Sequence, residues 1–377
     1  MIFLVLGLLF LTALLFQLIY LVCIYGRLAF FFRPVKENTN KDFNTEAVTM
    51  LIVARNEFDN LQKLIPELAR QDYFKFEIMV VNDQSSDQTA ELLEEYMEIY
   101  PNLRTVTINY TPSHVTPKKY ALTLGIKVAK YDVILLTDAD CRPASKNWTR
   151  LMTAPVRLEN KTFAIGYGAY RKGKGFLNWL IQYETVFTAL QYFSFGLWKS
   201  PYMAVGRNLC YRKSFFLEKK AFKNFWHVLG GDDDLFVNQY ANSSNTSMVI
   251  DPESITVSEP KRTFSSYNTQ KKRHFQAGKF YKTLDKLKIG LFAFSHLLFW
   301  TTGVALMAVS KDPIIIASIG GVFLIRTAIA YGVFRGAYRK FEGQTKVFWT
   351  IFFDLIYLGY FWVMGTKGYL SKTVKWK

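Results

Sequence analysis

Three acidic segments hold the side chains best suited to chemistry in this chain. Asp138-Ala139-Asp140 sets two carboxylates one residue apart. Such a pair can hold a hard divalent cation, Mg²⁺ or Mn²⁺, between the protein and phosphate oxygens, and it also fits a solvated turn. In Gly230-Gly231-Asp232-Asp233-Asp234-Leu235, three adjacent carboxylates repel one another. That repulsion raises at least one pKa and suits a general base, while the same run suits the acidic start of a helix. Asp83, followed by Ser85, Ser86 and Asp87, can accept hydrogen bonds from a nucleotide base or ribose, or cap the next helix. Two cations complement these groups. Lys118, just after Pro117, could neutralise a diphosphate or be a surface lysine. Arg273, in Gln270-Lys271-Lys272-Arg273-His274, could clamp a pyrophosphate with its guanidinium fork or belong to a juxtamembrane basic patch.

Strand and helix patterns carry these groups. Apolar runs at 48–54, 77–82, 103–109 and 133–137 read as buried strands, and 57–70, a segment from Asp87 and 118–130 read as helices between them. Such alternation predicts an α/β fold with a mostly parallel sheet covered on both faces. Ligands bind such sheets beyond the carboxyl ends of the strands. Arg55-Asn56-Glu57, Asn82-Asp83 and Asp138-Ala139-Asp140 all fall there. Residues 176–201 are rich in aromatics but contain Gln182, Glu184 and Gln191. They suit an interfacial amphipathic helix or ordinary core packing, not a membrane span.

The apolar residues concentrate at the two ends of the 377-residue chain, whose net charge is +17. Residues 2–25 carry no charge and are long enough to cross a bilayer. Arg27, Arg33 and Lys36 follow them, which places the N-terminus outside and residue 27 onward on the cytoplasmic side, with a cell inner membrane as the expected location. Residues 290–309 and 313–334 are further spans, the second requiring a partner for Arg326. Residues 347–365 form a fourth apolar stretch interrupted by Asp354, read as a span, with a re-entrant segment as the alternative. The expected organisation is an N-terminal anchor over 1–30, a soluble domain over 31–288 and a membrane region over 289–377. Cys23, Cys141 and Cys210 suggest no disulfide framework. Basic residues flanking apolar spans point to a membrane rather than to nucleic acid, whose phosphates the acidic strand ends would repel.

Taken in order, these segments resemble the family 2 glycosyltransferases. Val53-Ala54-Arg55-Asn56-Glu57, Asn82-Asp83-Gln84-Ser85-Ser86-Asp87, Lys118-Lys119-Tyr120-Ala121-Leu122, Asp138-Ala139-Asp140, Gly206-Arg207-Asn208, Gly231-Asp232-Asp233 and Gln270 to His274 match the family motifs over about 230 residues. The resemblance implies a GT-A fold between N-terminal and C-terminal transmembrane helices, and an inverting, metal-dependent transfer. It implies a nucleotide-sugar donor, UDP-linked, and an acceptor that is a membrane lipid or lipid-linked saccharide. By the same resemblance, Ala54, Glu57, Asp83, Lys118, Asp138, Gly206, Asn208 and Gln270 contact the donor. Asp140 and Asp138 hold the divalent cation, and Arg273 stabilises the leaving diphosphate. Asp233 is the expected base, and an alternative alignment makes it Asp232. Asn82 and His274 depart from the family's Asp and Trp. The His departure and the small number of spans make the layout similar to ceramide glucosyltransferases rather than to processive polysaccharide synthases, which stay as the alternative. A non-catalytic scaffold is the second alternative.

Overall fold

The structure is a computed structural model that describes residues 1–32, 46–341 and 350–370. Arg33 and Lys36 of the charge argument, residues 342–349, which include the start of the fourth apolar stretch, and residues 371–377 lie outside the described residues.

The chain opens with helix α1 (Ile2–Ala29), which widens to a π-helix over Ile19–Tyr25. Among the described residues, a seven-stranded sheet follows in the order β3-β2-β1-β4-β8-β6-β9. Its strands are β1 (Val48–Ala54), β2 (Phe76–Asp83), β3 (Leu103–Ile108), β4 (Val133–Leu136), β6 (Phe163–Ile165), β8 (Leu209–Arg212) and β9 (Thr246–Met248). β3, β2, β1 and β4 run parallel, and β8 joins antiparallel to both β4 and β6. A second sheet sets β10 (Thr256–Ser258) between β5 (Cys141–Pro143) and β7 (Gly168–Tyr170). The four parallel strands match the sequence expectation. The later strands, three or four residues long, lack the alternation that would mark them.

Helices α2 (Phe58–Ala69), α3 (Thr89–Ile99), α4 (Pro117–Val128) and α5 (Trp148–Leu158) cover the sheet. The reason is visible in α2: Leu61, Leu64, Ile65 and Leu68 recur on one face, and all are fully buried. Each such side chain contributes about 1.5–3 kcal/mol of apolar burial. The close approach of α4 to the sheet depends on Gly125, where an added Cβ would lie 2.6 Å from Val81 and 2.7 Å from Leu51.

Helix α6 (Phe176–Leu197) is the aromatic segment, and fifteen of its residues are buried. It therefore packs as core, with Phe176 and Trp179 exposed at its start. After it come α7 (Lys213–Glu218), α8 (Asp234–Tyr240), α9 (Phe264–Gly278), α10 (Thr283–Val309), α11 (Pro313–Phe341) and α12 (Thr350–Leu370). Among the described residues, α1, α10 and α11 are long and apolar enough to cross a membrane. α12 is not one of these three, so the leaning towards a fourth span gains no support from length and composition. Asp354 of α12 accepts from fully buried Arg326 of α11, and its Oδ2 lies 3.2 Å from His296 Nε2 of α10. Arg326 also donates to Gln17 of α1 at 2.7 Å. The partner that Arg326 requires is thus present, and it ties all four helices together.

Candidate active site

The carboxyl ends of β1, β2 and β4 converge with the α8 and α9 segments. At the end of β1, Asn56 has φ 55°, and at the end of β2, Gln84 also has φ 55°. Both occupy the left-handed region that side chains rarely adopt, which marks these turns as strained. They are locked to each other: Asn56 Oδ1 accepts from Ser86 N at 2.7 Å, and Asn56 N donates to Ser85 Oγ at 3.0 Å. Asp87 accepts from Thr89 N at 3.1 Å and from Phe58 N at 3.3 Å, so it serves the first turns of both α3 and α2. Asp83 is nearly fully buried beneath this pair of turns and accepts from Gln84 Nε2 at 3.1 Å. Glu57 accepts from Asn60 Nδ2 at 2.6 Å. Burial raises its pKa, and Asp140 and Asp138 add to the rise, so Glu57 shares the field of the Asp-x-Asp pair.

Lys118 joins two of the acidic segments. Its Nζ lies 3.0 Å from Asp138 Oδ1 and 3.1 Å from Asp232 Oδ2. Burial opposes its charge, but Asp138, Asp232 and Asp233 outweigh that and hold its pKa well above the ordinary lysine value. Neighbouring Lys119 points the other way and is fully buried. It donates to the carbonyls of Val228 and Gly230, anchoring the turn that precedes Asp232. That turn needs glycine: Gly230 and Gly231 have φ 85° and 73°, and a Cβ on Gly231 would meet Leu235 at 2.4 Å.

The three carboxylates that follow have different surroundings. Asp232 faces Lys118, and despite its burial that cation, with Lys119, lowers its pKa. Asp233 is the N-cap of α8: one oxygen accepts from Asp234 N at 2.8 Å and the other from Gly206 N. Burial and Asp232 push its pKa up to about 6. Asp234 accepts from Tyr281 Oη at 2.6 Å, and burial together with Asp233 raises its pKa to about 7.

Asp138, Asp140 and Cys141 place their ligand atoms within 4.8 Å of one another. The two carboxylates suit a hard divalent ion. The Cys141 thiol lies 3.0 Å from Ser258 Oγ, and burial pushes its pKa to about 12, so it stays a thiol. α9 brings Arg273 into the field of Asp232 and Asp138, which partly offsets the lowering of its pKa by burial. On the same helix Gln270 donates to Tyr170 Oη at 3.0 Å, and the Tyr170 ring lies 4.2 Å from the Arg207 guanidinium.

Three of the residues expected to contact the donor already have partners or burial within the protein. Asn208 is fully buried: its Nδ2 donates to the carbonyls of Tyr167 and Ser254, and its Oδ1 accepts from Trp148 Nε1. It brackets three segments of the fold from within the core. Gly206 uses its N–H on Asp233. Ala54 has its methyl fully buried, so only its backbone can reach a ligand. The sequence reading missed Tyr170 and Lys261, and it named Lys119 and Arg207 only within motifs, without a role. Lys261, whose charge lowers the pKa of both Glu57 and Asp140, precedes α9 in a basic loop that offered no spacing signal.

Comparison with known proteins gives a consistent picture. Residues 49–217 match the model of Glycosyl transferase family 2. A segment of 123 residues is 34% identical to a poly-β-1,6-N-acetyl-D-glucosamine synthase of Staphylococcus aureus, covering 31% of this chain and 29% of that protein. A segment of 193 residues is 31% identical to a probable glycosyltransferase, YdaM, of Bacillus subtilis, covering 50% and 43%. The chain thus matches less than half the length of either relative. Among solved structures, a mannosyltransferase of Pyrobaculum calidifontis, in complex with GDP-Man and Mn²⁺, has a similar fold. The TM-score is 0.58 at 15% identity, over 90% of this chain and 99% of that one.

Proposed function

Because residues 49–217 match the model of Glycosyl transferase family 2 and the fold is similar to that of a solved mannosyltransferase, we propose that this chain is a membrane-bound, inverting glycosyltransferase. In this reading it moves one sugar from a nucleotide-sugar donor, UDP-linked, to a membrane lipid or lipid-linked saccharide. The observation that carries the reading is the single cluster in which Lys118 bridges Asp138 and Asp232.

In our reading the nucleotide occupies the strained turns after β1 and β2, with Asp83 accepting from base or ribose. Asp138 and Asp140 would hold a divalent cation, and a manganese ion accompanies the sugar nucleotide in the solved mannosyltransferase of similar fold. Such an ion supplies Lewis-acid stabilisation of the diphosphate. Lys118 and Arg273 add fixed positive charge where the leaving diphosphate gains its negative charge. The base is Asp232 rather than the Asp233 expected from sequence, since both Asp233 oxygens already accept backbone N–H groups. When the diphosphate draws Lys118 towards itself, Asp232 loses its cationic partner and its proton affinity rises. Asp232 then takes the acceptor hydroxyl proton as that oxygen attacks the anomeric carbon from the side opposite the diphosphate. The sugar–phosphate bond breaks and the anomeric configuration inverts.

The likeness to a polysaccharide synthase favours a second reading, processive synthesis on a growing glycan. Product size separates the two. Membranes containing the chain would be incubated with a panel of labelled nucleotide sugars and then extracted into organic solvent. We expect a lipid-soluble product bearing a single sugar. A long water-soluble polymer would replace the first reading with the second, and absence of transfer from every donor would remove both.

A further inference from the structure

We infer that the exposed corner where the first turns of α6 and α9 meet is a docking surface for the anionic headgroups of a phospholipid bilayer. The inference rests on the membrane-bound part of the reading above. It adds which surface of the folded domain meets lipid and what charge that lipid carries.

Two loops drawn together by the second sheet build the corner. Tyr170 of β7 is in register with Ser258 of β10. Just beyond them Arg171 N donates to Ser258 O at 2.8 Å, and Arg171 Nε lies 2.5 Å from Glu259. The loops that follow, 171–175 and 259–263, hold five basic residues and one acid, Glu259, which Arg171 already engages. Lys174, Lys261 and Arg262 are all exposed there. The loops also end together, since the Phe176 and Phe264 rings lie 6.3 Å apart. Phe176 and Phe264, with Trp179 one turn further along α6, are exposed. Three large rings in water inside a basic rim need a partner that is apolar below and negatively charged above. A bilayer interface is both: rings settle at headgroup level and lysines and arginines meet anionic lipid.

The position of α6 selects a bilayer over an acidic protein. The helix lies across one end of the three candidate spans. Its Phe195 ring is 6.4 Å from Tyr20, late in α1. Its Phe187 ring is 5.7 Å from Phe292, early in α10, and 5.8 Å from Phe334, late in α11. Phe176 is 5.4 Å from Phe353 of α12, whose Leu355 and Ile356 are exposed as well. The apolar surface of the corner is therefore continuous with that of the helices beside the spans. Lys261 links the corner to the chemistry, because its charge acts on Glu57 and Asp140. Headgroups gathered at the corner would thus lie at the rim of the candidate site.

The test uses the full chain in phosphatidylcholine nanodiscs with a trace of photoreactive phosphatidylglycerol or, in parallel, of equally photoreactive phosphatidylcholine. Peptides covering residues 171–179 and 261–264 should take label preferentially from the anionic probe. Labelling around Leu324 and Ile325, exposed on α11, should not distinguish the probes and reports insertion and folding. Lys174→Gln with Arg262→Gln should cut the preference by roughly twentyfold, about fivefold for each charge. Lys174→Arg with Arg262→Lys should keep it. Salt at about 1 M should remove most of it, because the screening length falls to about 3 Å. With α11 labelled, equal labelling of the corner by both probes, no labelling there, or a preference that survives the double glutamine variant would overturn the inference. If α11 took label from neither probe, the membrane-bound reading would fail and the inference with it.

Discussion

Asp232, Asp233 and Asp234 are one residue type repeated, yet their surroundings predict three different behaviours. Asp232→Asn should lower turnover by roughly two to four orders of magnitude with donor affinity retained, because it removes the base. Asp233→Asn should cost less than about tenfold in steady-state rate, because it perturbs a helix cap. The opposite ranking would return the base to Asp233. For Asp234 the consequence is in stability. Its pKa of about 7 in the fold lies above the ordinary carboxylate value of about 3.9. The folded state therefore binds a proton that the unfolded chain lacks within that window, and stability falls as pH rises through it. Asp234→Asn should melt above the wild type at pH 8 and converge with it near pH 4, as read by thermal unfolding. A wild-type deficit that did not shrink on acidification would contradict the assignment. Asp140→Ala should abolish transfer without loss of the folded, membrane-bound protein, and chelator should do the same reversibly; full activity in excess chelator would remove the metal assignment. Residue types in order were enough to single out Lys118, Asp138, Asp140 and the acidic run, which the fold brings together. They could not tell that Asn208 is a bracket or that Lys119 anchors a turn, since both depend on which way a side chain points.

The elements that were legible are the long ones. β1 and β2 have continuous apolar runs, and α2 has a clear helical period, so their bounds came within a residue or two. β5, β7 and β10 are three residues each and form their sheet only through contacts distant in sequence. One consequence of element packing is that the candidate site and the candidate spans are mechanically joined. Asn238 of α8 donates to Asp285 of α10 at 2.9 Å, and Lys282 N donates back to Asn238 Oδ1 at 2.9 Å. Lys271 of α9 pairs with buried Glu184 of α6. The Arg326–Asp354 pair holds α11 to α12 in the same way. Arg326→Met alone should destabilise the protein by about 3–5 kcal/mol, because it strands a buried carboxylate. Arg326→Met with Asp354→Leu should recover most of that loss in a denaturation assay. A double variant as unstable as the single would mean that the pair contributes through something other than charge.

At the scale of the whole molecule, the contacts of the candidate spans all lead to one side. Asp285 and Lys288 near the start of α10, Tyr25 near the end of α1 and Phe341 at the end of α11 each meet the sheet domain or α6. α12 runs beside α9, where Gly368 leaves room for Phe275. We therefore expect Lys367 on the same side as the domain that carries the candidate site. Lys367→Cys should resist an impermeant thiol reagent applied from outside and react after permeabilisation; outside labelling would instead make α12 a fourth span. The central claim is that the cluster of Asp138, Asp140, Lys118 and Asp232 cleaves a nucleotide sugar. The most direct measurement is release of nucleoside diphosphate by the purified chain in nanodiscs, across a panel of nucleotide sugars with Mn²⁺ or Mg²⁺ and extracted membrane lipid. The account predicts release with at least one donor, loss of it in chelator, and loss of it in Asp232→Asn. Release that survives Asp232→Asn at the wild-type rate, or no release from any donor, would contradict it.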